Sequence, residues 1–345
     1  MTTRDTFKVG LTRDLLNSAG EPSFGAAALA LLDDAAHLEW EFIPEGVDVL
    51  TPELMARYDA IYVNAPKVSA RSFDDATPRV KIIARHGVGY DSVDVPSLTA
   101  RGVVLTNTPV AVRRPVATMT MTFVLALAQK LMTKDRLTRT GRWADRTNHM
   151  GQGLTGKVIG LIGAGSIGLE CIRLARAFDM EALAADPFVQ ESVVAQQGGS
   201  LVALDALLQR SDFVVVTCLL TDATRHLVNA QRLAQMKPSA YLINVARGPI
   251  VDEAALVDAL QRGVIAGAAL DVFEQEPVHP DNPLLTMDNV IVTPHALCWT
   301  DECFDAIARS GLGSIVDLLA HRIPPHVVNR DVLMRPEVER WFGSP

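Results

Sequence analysis

Short apolar runs, three to six residues long, alternate with helical segments along most of the chain. Short runs rich in apolar residues are typical of buried strands, and their alternation with helices predicts parallel sheets covered by helices. The alternation stops near Thr108 and restarts at Lys157, so two successive α/β halves are expected. The predicted strands are 7–11, 38–43, 60–63, 80–84 and 103–106 in the first half, and 158–162, 180–185, 213–217, 240–244, 265–270 and 290–292 in the second.

The helical segments are predicted from apolar residues at helical spacing. They cover 25–36, 115–132, 169–178, 252–261 and 301–320, with Asp252 as an N-cap. The apolar part of the second helix, 116–128, contains three threonines and is too short to span a bilayer, which favours a buried helix. In the glycine-rich, polar stretch 141–156, Trp143 is the only large side chain that could anchor the segment by packing. In the C-terminal tail, Trp341 and Phe342 are the corresponding side chains.

A glycine motif joins the predicted strand 158–162 to the helix that follows it. Gly163-Ala164-Gly165-Ser166-Ile167-Gly168 fits G-x-G-x-x-G in the strand–turn–helix context of dinucleotide-binding units. The first glycine permits a tight turn, the second lets a pyrophosphate approach the backbone, and the third lets helix and strand pack closely. Asp186 ends the next predicted strand, where a carboxylate accepts hydrogen bonds from the adenosine ribose and repels a 2′-phosphate. The motif therefore predicts NAD rather than NADP, with an ordinary βα turn as the alternative.

Composition narrows the function classes further. The 345 residues are 48% hydrophobic and 21% charged, as in ordinary globular proteins, and the net charge of −8 argues against nonspecific nucleic-acid binding. The four cysteines form no CxxC pair or other metal-ligand spacing, so no metal is expected. The N-terminal residues lack the apolar core of a signal peptide. We therefore expect a cytoplasmic protein with neither a membrane nor a nucleic acid as partner.

Three polar residues follow predicted strands of the second half: Arg247, Glu276 and His295. The carboxyl ends of parallel strands share one edge, where α/β sheets bind ligands, so these side chains are expected to converge. An arginine can hold a carboxylate with two hydrogen bonds. A histidine can transfer a proton near neutral pH, and a neighbouring carboxylate orients its ring and favours the imidazolium form.

With NADH as hydride donor, these three groups would reduce a 2-keto acid to a 2-hydroxy acid. Each residue alone has a simpler interpretation: a surface ion pair for Arg247, a structural histidine for His295, and a solvated loop residue for Glu276. The hypothesis depends on their occurring together beside a cofactor motif.

Several further motifs, read together, resemble one family. Between residues 82 and 329 they follow the order found in the D-isomer-specific 2-hydroxyacid dehydrogenases, which include phosphoglycerate, glycerate, D-lactate and formate dehydrogenases. The segments are RHGVGYD at 85–91 with VD at 93–94, TNTP at 106–109, GKVIGLIGAGSIG at 156–168, NVARG at 244–248, ALDVFEQEP at 269–277, NPLL at 282–285 and NVIVTPH at 289–295.

The resemblance implies a role for each matching position. Arg247 would bind the substrate carboxylate and keto oxygen, His295 would be the acid/base, and Glu276 would be its partner. Backbone N–H groups around Val88 and Gly89 would also hold the carboxylate. Asp271 would lie near the nicotinamide amide. The implied NAD contacts are Gly163, Gly165, Ser166, Ile167, Gly168, Asp186, Thr217, Cys218, Val245, Ala246, Asp271 and His295.

The resemblance also implies a domain organisation. The family fold has two Rossmann-like α/β domains with an interdomain active-site cleft. Here the substrate domain is expected at 1–107 plus 299–330, the NAD domain at 108–298, and a C-terminal tail at 331–345. Members are usually dimers through the cofactor domain, so a homodimer is expected.

Departures from the family pattern leave the substrate open. Trp299 stands near the acid/base where small residues are typical, and the Arg113–Arg114 pair is also unusual. Together with Arg85 and His86, which are candidate substrate contacts, this pair could form a cationic pocket for a phosphate or a second carboxylate. Solvated charges along a domain hinge are the alternative for Arg113 and Arg114.

Three other activities occur on this scaffold. Formate-type dehydrogenases carry glutamine where this chain has Glu276, which argues against that activity. Phosphite oxidation stays open, because enzymes with that activity keep the arginine, glutamate and histidine. A corepressor-like NAD(H) sensor without enzymatic activity stays open for the same reason, although the lack of low-complexity tails favours an enzyme.

Overall fold

The computed structural model describes residues 6–74 and 77–342. The chain folds into two compact units: the first contains the residues up to Val112 together with those from Trp299 onward, and the second is Arg113–Cys298. These limits differ from the expected ones because 108–112 and the described part of the C-terminal segment belong to the first unit. Val332 and Val338 of that segment are buried, so it is part of the packed unit rather than a loose tail.

The first unit contains a parallel sheet of the strands β1 Phe7–Leu11, β2 Leu38–Phe42, β3 Ala60–Val63, β4 Ile82–Arg85 and β5 Val104–Thr106, in the order β2-β1-β3-β4-β5. Its inner strand β3 is apolar and buried along its whole length, which is why the sequence shows no alternation there. The helices of the N-terminal part are α1 Ala30–Asp33, α2 Pro52–Arg57 and α3 Val95–Ala100, and α4 Pro109–Ala128 begins in the first unit and continues into the second.

The second unit contains a parallel sheet of the strands β6 Val158–Ile162, β7 Glu181–Ala185, β8 Ser200–Leu201, β9 Phe213–Val216, β10 Tyr241–Asn244, β11 Gly267–Leu270 and β12 Val290–Val292. Their order in the sheet is β12-β11-β10-β9-β6-β7-β8. The order reverses at β6, the strand that leads into the glycine motif, and β10, β11 and β12 are consecutive neighbours.

The helices of the second unit cover this sheet, and the chain then returns to the first unit. The remaining helices are α5 Leu131–Arg139, α6 Ser166–Ala175, α7 Glu191–Gln196, α8 Leu204–Arg210, α9 Ala230–Leu233, α10 Glu253–Gln261, α11 Asp301–Leu319 and α12 Pro336–Glu339. Short 3₁₀ segments lie at Arg13–Leu15, Ala27–Leu29, Ala70–Phe73, Trp143–Asn148, Arg176–Phe178, Gly248–Ile250, Pro283–Thr286 and Arg330–Met334.

In both sheets a buried aspartate binds neighbouring strands at the amino-terminal edge. Asp59, directly before β3, accepts hydrogen bonds from the Lys8 N–H at 2.9 Å and the Lys81 ammonium at 2.9 Å. Asp212, directly before β9, accepts from the Val158 N–H at 2.9 Å and the Lys237 ammonium at 3.1 Å. Both carboxylates are buried, so each fixes the start of neighbouring strands by satisfying a backbone donor and a cation.

Helix α4 was predicted with the wrong start. It begins at Pro109 rather than Pro115, which lies inside the helix, and it ends at Ala128. A proline inside a helix costs about 3 kcal/mol, but Val112 and Val116 are buried on either side of Pro115, and their packing offsets that cost. At 20 residues the helix has the length and composition of a membrane span, contrary to the expectation, but 56% of its most apolar window is buried within the protein. Core helices share these properties, so this is weak evidence for a span.

Candidate active site

The glycine motif forms the predicted strand–turn–helix unit between β6 and α6. Gly163 has φ 106°, and a Cβ there would lie 2.6 Å from the Cys218 nitrogen, so no other residue fits the turn. A Cβ at Gly168 would lie 2.3 Å from the Gly163 oxygen, which explains the close packing of helix and strand. A Cβ at Gly165, in contrast, would meet no atom within 4 Å. The backbone of Gly165 therefore faces open space at a helix N-terminus, which fits a pyrophosphate.

Two side chains hold this turn in place. Asp186, at the end of β7, accepts hydrogen bonds from the Ala164 N–H at 2.8 Å and the Phe188 N–H at 2.9 Å. The Thr217 hydroxyl donates to the Gly163 carbonyl at 2.8 Å. Burial raises the pKa of the neighbouring Cys218 thiol to about 11, so this cysteine is uncharged at neutral pH. The residues around the turn thus fit NAD. Asp186 is fixed at the position where a carboxylate is expected to bind the hydroxyl groups of the adenosine ribose.

Arg247 lies in the loop after β10, and its turn is built by Asn244. The Asn244 side chain accepts from the Ala246 N–H at 3.1 Å and donates to the Arg247 carbonyl at 2.9 Å. A Cβ at Gly248 would lie 1.8 Å from the Phe273 oxygen, so the loops after β10 and β11 are in direct contact. The sequence motif contains Asn244, but its role was missed, although an asparagine at a strand end is typical of such turns.

The loops after β11 and β12 bring Glu276 to His295. The His295 Nδ1 lies 2.8 Å from the Glu276 Oε2, and the other oxygen of Glu276 accepts from the Phe273 N–H at 3.0 Å. One carboxylate therefore joins its own loop to the histidine ring, and the ring is oriented through Nδ1. The predicted meeting of these two side chains at the carboxyl edge of the sheet is confirmed.

The electrostatics of the pair favour a charged histidine. The hydrogen bond from Glu276 raises the pKa of His295, outweighing the opposing effects of burial and of the Arg247 charge, while Asp271 raises it further. Burial raises the pKa of the Glu276 carboxyl, but the hydrogen bonds from His295 and Phe273 outweigh this effect, so that pKa lies below its ordinary value. Because the Arg247 charge acts on both groups, the three predicted residues share one electrostatic environment.

Asp271 organises the loop that carries His295. It is buried at the end of β11, and one of its oxygens accepts from the Thr293 hydroxyl at 2.5 Å and from the Ala296 and Leu297 N–H groups at 3.1 and 3.2 Å. His295 itself has φ 53°, a left-handed conformation that is unfavourable for a residue with a side chain. The hydrogen bonds on both sides of it hold that conformation. This positioning role was not predicted from the sequence.

In the first unit, the segment after β4 forms a loop whose carbonyl groups are all bound. The Gly87 carbonyl accepts from the Thr108 N–H at 3.0 Å, the Val88 carbonyl from the Asn107 side chain at 2.8 Å, and the Gly89 carbonyl from the Arg85 Nε at 3.1 Å. Within the described residues no acceptor faces the N–H groups of Val88 and Gly89. Two adjacent N–H groups of this kind fit an anion such as a carboxylate.

The expected cationic pocket is wrong for His86. This side chain is 6% exposed, its Nδ1 lies 2.5 Å from the Tyr62 hydroxyl, and the rings of Phe24 and Phe304 pack against it. Burial, together with the nearby Arg85 charge, lowers the pKa of His86 to about 3, so the ring is neutral. The sequence missed this because Tyr62 and Phe304 are distant along the chain.

Arg113 and Arg114 belong to the second unit, whereas Arg85 and His86 belong to the first. Arg114 forms an ion pair with Glu170 on α6 at 2.9 Å, and Arg113 is exposed. Arg85 uses its guanidinium to bind the carbonyls of Asn64 and Gly89. Arg85 and Arg114 therefore have structural partners.

Comparison with known proteins identifies relatives of the chain. Residues 121–296 match the family model described as D-isomer specific 2-hydroxyacid dehydrogenase, NAD binding domain. The chain is 41% identical to a glyoxylate reductase of Thermofilum pendens over 76% of this chain and 79% of that protein. It is 38% identical to a D-3-phosphoglycerate dehydrogenase of Methanocaldococcus jannaschii over 79% of this chain, spanning 52% of that longer protein. It is also similar to the structure of D-lactate dehydrogenase from Aquifex aeolicus complexed with NAD and lactic acid, with TM-score 0.80, 26% identity and coverage of 93% and 99% of the two chains.

Proposed function

Because the chain belongs to the D-isomer specific 2-hydroxyacid dehydrogenases, we propose that this NAD-dependent enzyme reduces a small 2-keto acid with His295 as the proton donor. The observation that carries the proposal is the 2.8 Å contact between His295 and Glu276, in a loop fixed by Asp271. The product is the D-2-hydroxy acid, and the reverse reaction uses the same groups.

His295 and Glu276 act as the acid/base pair. When bound, NADH would supply the hydride to the carbonyl carbon, while the His295 imidazolium gives its proton to the carbonyl oxygen. Glu276 stabilises the imidazolium, so His295 stays protonated to higher pH than an isolated histidine. In the oxidative direction the neutral ring accepts the proton of the hydroxyl group.

Arg247 binds the substrate carboxylate and the keto oxygen. Its fork of N–H donors matches a carboxylate, and its turn is fixed by Asn244. The N–H groups of Val88 and Gly89 provide the second carboxylate contact, because their own carbonyls are already bound and the amides have no acceptor in the described residues.

We further propose that the preferred substrate is a small 2-keto acid of glyoxylate or hydroxypyruvate size, with neither a phosphate nor a second carboxylate. His86 is neutral and Arg85 is bound to backbone carbonyls, so neither supports recognition of a phosphate. The similarity to glyoxylate reductases, one of them 41% identical, favours the same choice.

The test is NADH oxidation with glyoxylate, hydroxypyruvate, pyruvate, phosphohydroxypyruvate and bulkier 2-keto acids, with NADPH as the cofactor comparison. We expect turnover with the small keto acids that carry no phosphate, and its loss in His295→Asn. His226→Asn is the matched control, since His226 also pairs with a glutamate, Glu274, at 2.7 Å. Tight NADH binding without turnover of any acid would contradict the proposal and favour a sensor. Preference for phosphohydroxypyruvate would contradict only the substrate choice.

We also propose a cytoplasmic homodimer formed through the second unit. Leu131, Met132 and Met150 are more than half exposed, and Trp143 is 64% exposed rather than an anchor within its own chain. They lie on α5 and the segment after it, and exposed large apolar side chains are enriched at interfaces. Light scattering should give a dimer for the wild type and a smaller mass for Trp143→Asp, and a monomeric wild type would contradict this proposal.

A further inference from the structure

The side chain of Asn107, to which the family resemblance assigns no role, holds the loop Gly87–Val88–Gly89. Asn107 follows β5 and is 9% exposed. Its side-chain amide donates to the Val88 carbonyl at 2.8 Å, while the next residue, Thr108, donates its N–H to the Gly87 carbonyl at 3.0 Å. Asn107 is itself fixed, because its backbone N–H donates to the His326 carbonyl at 3.3 Å.

The planarity of the peptide bond connects these contacts to the unbound amides. In a trans peptide the C=O of one residue and the N–H of the next point in opposite directions. Binding the Gly87 carbonyl therefore fixes the direction of the Val88 N–H. Binding the Val88 carbonyl, which Asn107 does, fixes the direction of the Gly89 N–H.

Gly87 makes this restraint necessary. Its φ is 116°, a region open to glycine but not to other residues, so the backbone on this side of the loop has the greatest conformational freedom. Without a bond to the Val88 carbonyl, the peptide between Val88 and Gly89 can rotate and turn its N–H away. The N–H groups of Val88 and Gly89 therefore keep the directions that suit an anion only while the carbonyls of Gly87 and Val88 are both hydrogen-bonded.

We propose that Asn107 is a positioning residue for substrate binding: by holding the Val88 carbonyl, it aims the Gly89 N–H at the substrate carboxylate. The inference rests on the proposed function, because that function assigns the carboxylate to this loop. Asn107 acts through the backbone and makes no contact with the substrate.

The chain offers a matched control in Asn329. It is also a buried asparagine of the first unit, at 6% exposed, and it binds the backbone at β5, the strand that Asn107 follows. Its Oδ1 accepts from the Leu105 N–H at 2.8 Å, and its amide donates to the Val103 carbonyl at 2.9 Å. Replacing Asn329 removes comparable hydrogen bonds from the unit but leaves the Val88 carbonyl bound to Asn107.

The experiment compares Asn107→Ala with Asn329→Ala. For Asn107→Ala we expect KM for the best keto acid and the dissociation constant of oxamate, measured by calorimetry on the NADH-saturated enzyme, to rise about tenfold, the loss of one charge-assisted hydrogen bond. Its kcat should change less, and its NADH affinity should equal that of the wild type. Asn329→Ala should lower the thermal midpoint without moving KM or oxamate binding.

A second variant keeps the test decisive if Asn107→Ala does not fold. Asn107→Asp preserves the size of the side chain but, when ionised, has no donor for the Val88 carbonyl, so it should raise KM and the oxamate dissociation constant at least as much. Folded Asn107 variants with unchanged oxamate affinity and KM would overturn the inference. Oxamate binding also separates the two proposals, since a wild type that binds oxamate but reduces no keto acid contradicts the proposed reaction and leaves the loop to be tested.

Discussion

Replacing Glu276 by glutamine removes one negative charge from the acid/base pair and keeps its size. The carboxylate lies 2.8 Å from the His295 Nδ1 and stabilises the imidazolium form. A hydrogen bond to a charged group contributes about 1.5–3 kcal/mol. Because the two side chains are 46% and 38% exposed, solvent screening places the contribution near the lower end of that range. Losing about 1.5 kcal/mol of imidazolium stabilisation lowers the rate of reduction roughly tenfold at a pH where His295 of the variant has lost its proton.

The direction of the pH effect follows from which form of His295 reacts. Reduction needs the imidazolium, so its rate falls as the pH rises through the His295 pKa, which Glu276 raises. In Glu276→Gln that pKa is lower, and the falling limb should move to lower pH. Oxidation needs the neutral ring, so its rising limb should move to lower pH by the same amount. Both limbs therefore shift to lower pH in Glu276→Gln. At a fixed pH on these limbs, the rate of reduction should fall and the rate of oxidation should rise.

The assay is kcat/KM against pH in both directions, with NADH and NAD respectively. Glu274→Gln is the matched control, because Glu274 lies two residues earlier in the same loop and pairs with His226 at 2.7 Å. It should leave both limbs in place. Limbs that stay unmoved in Glu276→Gln, or that move equally in Glu274→Gln, would show that the contact with His295 does not set the pH dependence.

Three further predictions test the surrounding structure. Gly165→Ala should leave the thermal midpoint unchanged but weaken NADH binding, whereas Gly168→Ala should lower the midpoint, because only the second Cβ meets a backbone oxygen, at 2.3 Å; fluorescence titration and calorimetry separate the two. Arg247→Lys should lower kcat/KM for the keto acid about a hundredfold with NADH affinity retained, since lysine cannot form the two-pronged contact, and an equal loss in NADH affinity would contradict this role. Asp212→Asn should lower the unfolding free energy by about 1–3 kcal/mol, because a buried carboxylate that accepts from Val158 and Lys237 is lost; an unchanged midpoint would contradict it.

Features that depend on neighbouring residues were predictable from the sequence. The strands 7–11, 60–63, 158–162 and 290–292 occur with the predicted bounds, because each is an apolar run ended by a turn-forming or polar residue. Asp252 caps α10 as expected, accepting from the Ala255 N–H at 3.0 Å. Where two local patterns competed, the prediction failed: both Pro109 and Pro115 are acceptable first residues of a helix, and the helix begins at Pro109, with Val112 the buried residue between them.

The candidate site likewise contains features that the sequence predicts and features that depend on distant contacts. The meeting of Glu276 and His295 was predictable because the topology of parallel strands brings their loops to one edge, whatever the side chains are. The charge of His86 was not, because it depends on the contacts with Tyr62 and Phe304, which no local pattern reveals. Asp271 and Asn107 belong to the same class. Both stand in motifs of the family resemblance, which implied a cofactor contact for Asp271 and no role for Asn107. In the structure both use their polar atoms on backbone groups of adjacent loops. Polar residues in family motifs can thus fix the backbone of adjacent loops, a role that only the folded structure reveals.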